Sequence, residues 1–474
     1  VRSESSPETD PAVEPERPAP ERVTSVRLVT ITVALGTVLA PLNSTMIAVA
    51  LPGIMDDFDR SVASAGWLIT GYLIIMASLQ PVTGKIGDRF GRRPLVIGGL
   101  AAFALASVAA SFAPNLWWLL AFRMMQAVSG AFILPNGAAL MRQVVPEANR
   151  GREFGIMGAA VGTAAAFGPA IGGVLAEFAG WQAIFYVNAI VIAPALYLAI
   201  TKLPKTRPQH SSTGFDFGAA AMLPIMLVAL VLAVQGIGDS TTLALRAALG
   251  ALAAGVLVTF VFYELRNSDP VIQPRFFKIR AFAAANSGVG LGNMAMYTLL
   301  ISVPLLMAAR YGDSLLDSGL ILISLSVASI LVAPFGGRLS DRFGRRIPTV
   351  AGHLSMAIGA LPIALIGGDV SIVVLVISLA FVGVGLGLSG ASIQATAVES
   401  IPARHAGSAS GMLSTSRYLG SITGAAILAG LLGADRGNIA GLDTVFYVVF
   451  AAALAAVVSS FFMRARPARS SSEI

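Results

Sequence analysis

Long stretches of this chain contain no Asp, Glu, Lys or Arg, among them 28–55, 61–84, 94–122, 154–176, 178–201, 217–238, 281–309, 318–337, 370–398 and 444–463. A helix needs about 20 apolar residues to cross hydrocarbon. Backbone polar groups find no water in a bilayer core, so only helices and closed barrels span it. Barrel strands alternate apolar and polar residues over about ten positions, and these runs do not. The expected fold class is therefore an all-α, multi-pass membrane protein. Of 474 residues, 55% are hydrophobic and 12% charged, too little charge to cover a soluble protein of this size. Spans fall near 28–54, 64–83, 94–113, 116–141, 153–176, 180–201, 216–237, 242–263, 281–308, 317–337, 347–367, 370–397, 406–433 and 443–463, fourteen in all.

Positive charge orients them, because cytoplasmic loops keep the Lys and Arg excess. With the N-terminus inside, 26 of the 32 Lys and Arg lie in cytoplasmic segments. Three (Arg60, Arg310, Arg436) lie in outer loops and three (Arg123, Arg246, Arg417) within spans. Both termini are expected in the cytoplasm and the protein in the plasma (inner) membrane. The net charge of +7 follows from this bias, so no nucleic-acid partner is expected. Residues 1–22 are rich in Pro and charge and lack the apolar core of a signal peptide. The first span thus reads as an uncleaved anchor behind a disordered tail, 1–27. Cysteine is absent and His210, His353 and His405 match no metal spacing, so no metal site or cofactor is expected.

An internal repeat divides the chain. "GKIGDRFGRRP" at 84–94 recurs as "GRLSDRFGRRIP" at 337–348, placing Asp88 and Asp341 253 residues apart. "GREFGIMG" from 151 runs parallel to "GSASGMLS" from 407, an offset of 256 that lays Gly168 over Gly424. Six spans (28–201) repeat as six (281–463), the linker 202–280 carries an inserted pair, and 464–474 is a tail. Parallel halves meeting at a midplane cavity are a transporter design.

These motifs resemble the major facilitator superfamily, specifically its fourteen-span drug:proton antiporter branch, over nearly all of 28–463. The loop at 84–94 is similar to the superfamily's signature between spans two and three. "RMMQAVSGA" from Arg123 resembles the Arg-bearing fourth-span motif, and "GTAAAFGPAIGG" (162–173) the fifth-span motif of exporters. "LNSTMIAVALP" (42–52) resembles the first-span motif, with Asn43 where many members carry an acid. The resemblance implies two six-helix bundles with two further helices between them. It also implies alternating access and a small-molecule substrate.

Gating is assigned to the two repeated loops and the fifth span. Asp88 can accept from helix N-terminal amides or from Arg92 or Arg93 and lock the halves together, with Arg89 beside it. Gly84 and Gly91 permit a tight turn and close approach. Asp341 and Arg345 are the second copy. The plain alternative is a basic turn obeying the charge bias; two copies at matching positions argue against it. Gly168, Pro169 and Gly172 read either as a hinge sealing the cavity or as ordinary small-residue packing.

The cavity candidates are Asn43, Trp67, Arg123, Gln126, Asn293, Tyr297 and Arg417. An Arg within a spanning helix costs about 2.5–3.5 kcal/mol on insertion scales, so Arg123 and Arg417 are expected to face protein or a wet cavity, snorkelling being the alternative. All 25 Asp and Glu fall in tails, loops or span ends. Relatives resembling tetracycline exporters carry acids where this chain has Ala165 and Ser421, so their coupling chemistry does not transfer. Protons stay an open coupling ion. Two guanidiniums without an obvious acid favour neutral, zwitterionic or anionic amphiphiles. The expected function is secondary-active export of small, largely apolar or amphiphilic molecules, as in drug or antibiotic efflux. A lipid or metabolite exporter without proton coupling, and a transport-dead sensor or scaffold, are the alternatives. No acid pair, metal cluster or activated nucleophile points to an enzyme.

Overall fold

The computed structural model describes residues 26–146, 150–204, 217–235, 242–267, 270, 272–311, 315–402, 406–432 and 441–463. Most of the N-terminal tail, the C-terminal tail, His210, His405, Arg404 and Arg436 lie outside the described residues, as does the side chain of Asp88.

Helices make up the fold. They are α1 (Val26–Phe58), the single turn α2 (Val62–Ala65), α3 (Trp67–Phe90), α4 (Arg92–Ser111), α5 (Leu116–Val144), α6 (Arg150–Ala179) and α7 (Gln182–Lys202). An inserted pair follows, α8 (Phe217–Gln235) and α9 (Leu243–Arg266). Then come α10 (Arg280–Tyr311), α11 (Leu315–Phe343), α12 (Arg346–Ile366), α13 (Ile372–Glu399), α14 (Ala406–Leu432) and α15 (Leu442–Ser460). Among the described residues, eleven helices are long and apolar enough to cross a membrane.

Local chemistry sets the helix ends. The Asn115 side chain accepts from the amides of Trp117 and Trp118 and so starts α5. Ser371 caps α13 and Thr242 caps α9 in the same way. Gly91 (φ 89°) ends α3 and Gly344 (φ 84°) ends the described run of α11, both in a region that disfavours a side chain. They stand 253 residues apart, so the sequence repeat is a repeat of backbone conformation.

The packing repeats with it. α1–α6, α1–α7, α3–α5, α4–α5, α4–α7 and α1–α5 pack in the first group of helices. The equivalents α10–α14, α10–α15, α11–α13, α12–α13, α12–α15 and α10–α13 pack in the second. A Cβ at Gly168 on α6 would overlap the Thr45 hydroxyl on α1. A Cβ at Gly424 on α14 would lie 2.5 Å from the Thr298 hydroxyl on α10. Thr45 and Thr298 are again 253 apart, so both halves lock a glycine of one helix onto the same threonine of the other. The inserted α8 lies against α3 and α14, across a seam between the two groups, and carries α9 on its far side.

Burial shows how the groups meet. On α1, residues 42–52 are buried without a break, as are 297–307 on α10, both in the part of the helix remote from the repeated basic turns. Toward those turns the burial becomes intermittent, with Ile31 and Ser287 exposed. At the remote end a Cβ on Gly319 of α11 would lie 2.6 Å from the Pro169 carbonyl and 3.3 Å from Gly173 Cα of α6. Gly66, opening α3, faces the Ala429 methyl of α14 at 4.0 Å. At the basic end a Cβ at Gly84, at its repeat mate Gly337 or at Gly411 on α14 would meet nothing within 4 Å beyond its own helix. The two groups meet tightly at the remote end, and among the described residues burial along α1 and α10 thins toward the basic end.

Candidate functional site

A polar layer joins the groups at mid-height. The hydroxyls of Ser44 on α1 and Tyr297 on α10 are 3.4 Å apart. Their separation of 253 residues makes them repeat mates, so this contact lies on the pseudo-two-fold axis. Gln80 Nε2 on α3 donates to the Tyr418 hydroxyl on α14 at 3.1 Å. Tyr72 on α3 is buried, its phenol has no protein partner, and it lies within electrostatic reach of Tyr297 and Tyr418. Three phenols from three helices thus converge where the halves meet.

Behind that layer α1, α3, α4 and α5 build a buried network. Asn43 Nδ2 donates to Gln126 Oε1 at 3.1 Å, and Arg123 Nη1 donates to the same oxygen at 3.0 Å. Gln126 Nε2 donates to Ser107 Oγ at 2.7 Å, while Ser107 spends its own proton on the Phe103 carbonyl. Those roles fix the amide's orientation. Arg123 Nε donates to the Leu68 carbonyl at 3.2 Å, and the guanidinium stacks 4.3 Å from the Tyr72 ring centre. Arg123 is 0% exposed, so it does not snorkel. Its second Nη and Asn43 Oδ1 have no protein partner. Unpaired buried atoms of both kinds in one cluster suit water or a ligand's polar group. Asn43 thereby has a structural task, tying α1 to α5, and keeps one free acceptor.

The other cavity candidates separate. Asn293 is half-buried one turn from Tyr297, its amide turned back to the Val289 carbonyl. Arg417 is exposed, has no ion pair among the described residues, and acts electrostatically on Tyr297 and Tyr418. Trp67 is the first residue of α3, beside Leu68, whose carbonyl accepts from Arg123. Every described Asp and Glu side chain lies at a helix end or in a turn. Asn136 on α5 joins α3 instead, donating to the Thr83 carbonyl at 3.1 Å. His353 on α12 pairs with Ser460 on α15 at 2.6 Å, inside the second group.

Arg345 and Arg93 make hydrogen bonds within their own halves in this conformation. Arg345 donates to Asp341 at 3.0 Å and to Glu399 at 2.7 Å, joining the α11–α12 turn to the end of α13. The Glu399 hydrogen bond holds the Arg345 pKa above its usual value. Arg93 reaches the Ile200 carbonyl on α7, Arg89 is exposed over Phe90, and Arg92 begins α4. Gly84 sits within α3 with open space beside it; the close approach belongs to Gly87, whose Cβ would overlap the Asn136 amide. Gly168 and Gly172 seat α6 on α1, at Thr45 and at the Met46 backbone, while Pro169 presents its carbonyl to Gly319 across the halves.

Sequence reasoning passed over Ser44, Tyr72, Tyr418, Gly87 and Gly319. Ser44 carried a signal: adding the repeat offset to it gives Tyr297. Tyr418 stood beside Arg417, but nothing in the sequence pairs it with Gln80.

Residues 33–425 match the Major Facilitator Superfamily. The chain is 33% identical over 438 residues to an uncharacterized MFS-type transporter, YvkA of Bacillus subtilis (strain 168), covering 91% of this chain and 94% of that protein. It is 31% identical to the tetracenomycin C resistance and export protein of Streptomyces glaucescens, over 86% of this chain and 76% of the relative. Its fold is similar to the crystal structure of a D-xylose–proton symporter, with a TM-score of 0.65 at 14% identity over 93% of this chain and 98% of that one. The chain belongs to the major facilitator superfamily, a family of membrane transporters acting on small molecules.

Proposed function

We propose that this protein is a secondary-active exporter of small, largely apolar or amphiphilic molecules. In this reading fourteen helices span the plasma membrane with both termini in the cytoplasm. The halves 28–201 and 281–463 rock about the polar layer, and 202–280 contributes the two extra helices. One observation carries the reading: paired polar groups lie on the axis between halves that meet tightly at one end and, among the described residues, are less buried against each other toward the other. That is the geometry of a site alternately exposed to two sides. The positive-inside bias makes the less buried end cytoplasmic, so the cavity faces the compartment from which an exporter loads. The likeness to an antibiotic export protein supports the direction.

The test is flux in proteoliposomes holding the purified protein, with a panel of amphiphiles and with pH gradient and membrane potential imposed separately. Gradient-driven movement of at least one amphiphile is expected. Absence of flux under both gradients, with the protein folded, would count for a sensor or scaffold. The polar layer contains no carboxylate to titrate, so weak dependence on the pH gradient is expected.

A further inference from the structure

We propose that the opening between the halves seats an aromatic amphiphile bearing one negative charge, its ring against the half-buried Tyr418 phenol and its acid group on the Arg417 guanidinium. This rests on the export reading and narrows it to a substrate class. Arg417 is exposed on α14 within a helix of the core, and no carboxylate pairs with it among the described residues. A guanidinium presents a planar fork of donors that matches a carboxylate, sulfonate or phosphate. Arg417 adjoins the half-buried Tyr418 on the same helix, and its charge also reaches Tyr297 on α10.

The surroundings have the same sign. Arg123 lies behind Tyr72 and also acts on Tyr297, with one Nη unpaired. The Tyr72 phenol is a further unpartnered group, within electrostatic reach of Tyr418. The described carboxylates stand at helix ends, so no described carboxylate there offsets two guanidiniums. A cationic ligand would meet repulsion in a site of low dielectric, and an anion would meet attraction there. The aromatic part follows from the Tyr418 ring, which favours offset or edge-on contact with another ring. Gln80 holds the Tyr418 phenol by its hydroxyl, and Tyr418 is half-buried, which leaves part of its ring for contact.

The experiment uses the full chain in proteoliposomes and three fluorescent probes of similar ring area. They are 1-anilinonaphthalene-8-sulfonate (anion), N-phenyl-1-naphthylamine (its neutral counterpart) and ethidium (cation). Binding and gradient-driven flux are measured for each, with protein-free vesicles subtracted. The anion is expected to bind at least about tenfold more tightly than the neutral probe, the scale of one charge-assisted hydrogen bond, and the cation most weakly. Arg417→Gln should reduce the anion-to-neutral preference about tenfold. Arg417→Lys, which keeps the charge, should retain most of it and shows whether loss in the first variant is a folding effect. Cation binding or flux equal to that of the anion overturns the charge preference and leaves export standing. Anion preference that survives Arg417→Gln overturns the assignment of the acid group. Binding with the expected order but no flux of any probe supports the site and overturns export; neither binding nor flux overturns both.

Discussion

Replacing Arg123 separates what the charge does for folding from what it does for transport. The wild-type guanidinium is wholly buried and makes two hydrogen bonds, to the Leu68 carbonyl and Gln126 Oε1, besides stacking on Tyr72. Hydrogen bonds to charged groups contribute about 1.5–3 kcal/mol each, so their loss costs roughly 3–6 kcal/mol before any offset. Against that stands the desolvation of an ion without a described carboxylate partner, which is several kcal/mol in real proteins. Arg123→Met removes both terms at similar volume and leaves no orphan: Gln126 Oε1 still accepts from Asn43, and the Leu68 carbonyl lies inside a helix. The net change in stability is expected within about 2 kcal/mol, from the partial cancellation of those two terms. Arg123→Lys keeps the buried charge but loses the planar fork that serves two acceptors at once. It should therefore be the less stable variant. Transport should order the other way: wild type, then Lys with partial activity, then Met with none. The assays are thermal unfolding of the purified variants and initial flux in proteoliposomes. Full transport by Arg123→Met, or a Met variant less stable than Lys, would refute the reasoning.

Gly87→Ala should destabilise the protein by about 1–3 kcal/mol, the usual range for overpacking, because its Cβ would overlap the Asn136 amide, whereas Gly84→Ala, with open space around it, should not; thermal unfolding of both checks this. A Gly66→Cys, Ala429→Cys pair places its Cβ atoms about 4.0 Å apart, within disulfide range, so oxidation should lock the closed end and stop flux, and reductant should restore it. Unchanged flux in the fully oxidised pair would mean that this end does not open. A Ser61→Cys variant should react with an impermeant thiol reagent on intact cells and Ser470→Cys only after lysis, a clean test because the chain has no cysteine of its own. Asn43→Asp should add a pH dependence to flux that the wild type lacks, since it places a titrating carboxyl against Gln126 Oε1 and near Arg123; identical pH profiles would show that Asn43 does not stand at a coupling position.

The helices were legible because charge-free length and positive loops are local properties of the sequence. The repeat was legible because Gly91 and Gly344 are needed at the same left-handed turn. Partnership between distant side chains was not. Gly84 drew notice as the first residue of a motif, yet the approach of α3 to α5 falls one helical turn later, at Gly87, where Asn136 arrives from another helix. Trp67 looked like a cavity aromatic; it is the first residue of α3, beside Leu68, whose carbonyl accepts from Arg123. Tyr72 lacked any periodic or motif signal; its importance comes from Arg123 stacking over it. Asn43 invited a reading as a vanished acid, and its amide instead joins Arg123 at a shared acceptor.

The repeat also explains why the polar layer sits where it does. A rotation of one half against the other about an axis near mid-height displaces the ends most and the axis least. Ser44 and Tyr297 are repeat mates in contact, so they lie on the one line where both halves present equivalent positions to each other. Gly66 with Ala429 and Gly319 with Pro169 are contacts at one end; Gly84 and Gly337 are open mates at the other. The proposed rocking would exchange these two sets without requiring the Ser44–Tyr297 pair to part. Polar groups at the axis can therefore stay partnered in both states, which matters where an unsatisfied group costs about 2–7 kcal/mol. Glycines suit the ends for the complementary reason: a surface that must seal and release depends on close backbone approach, not on directional bonds that would have to be broken at each turnover.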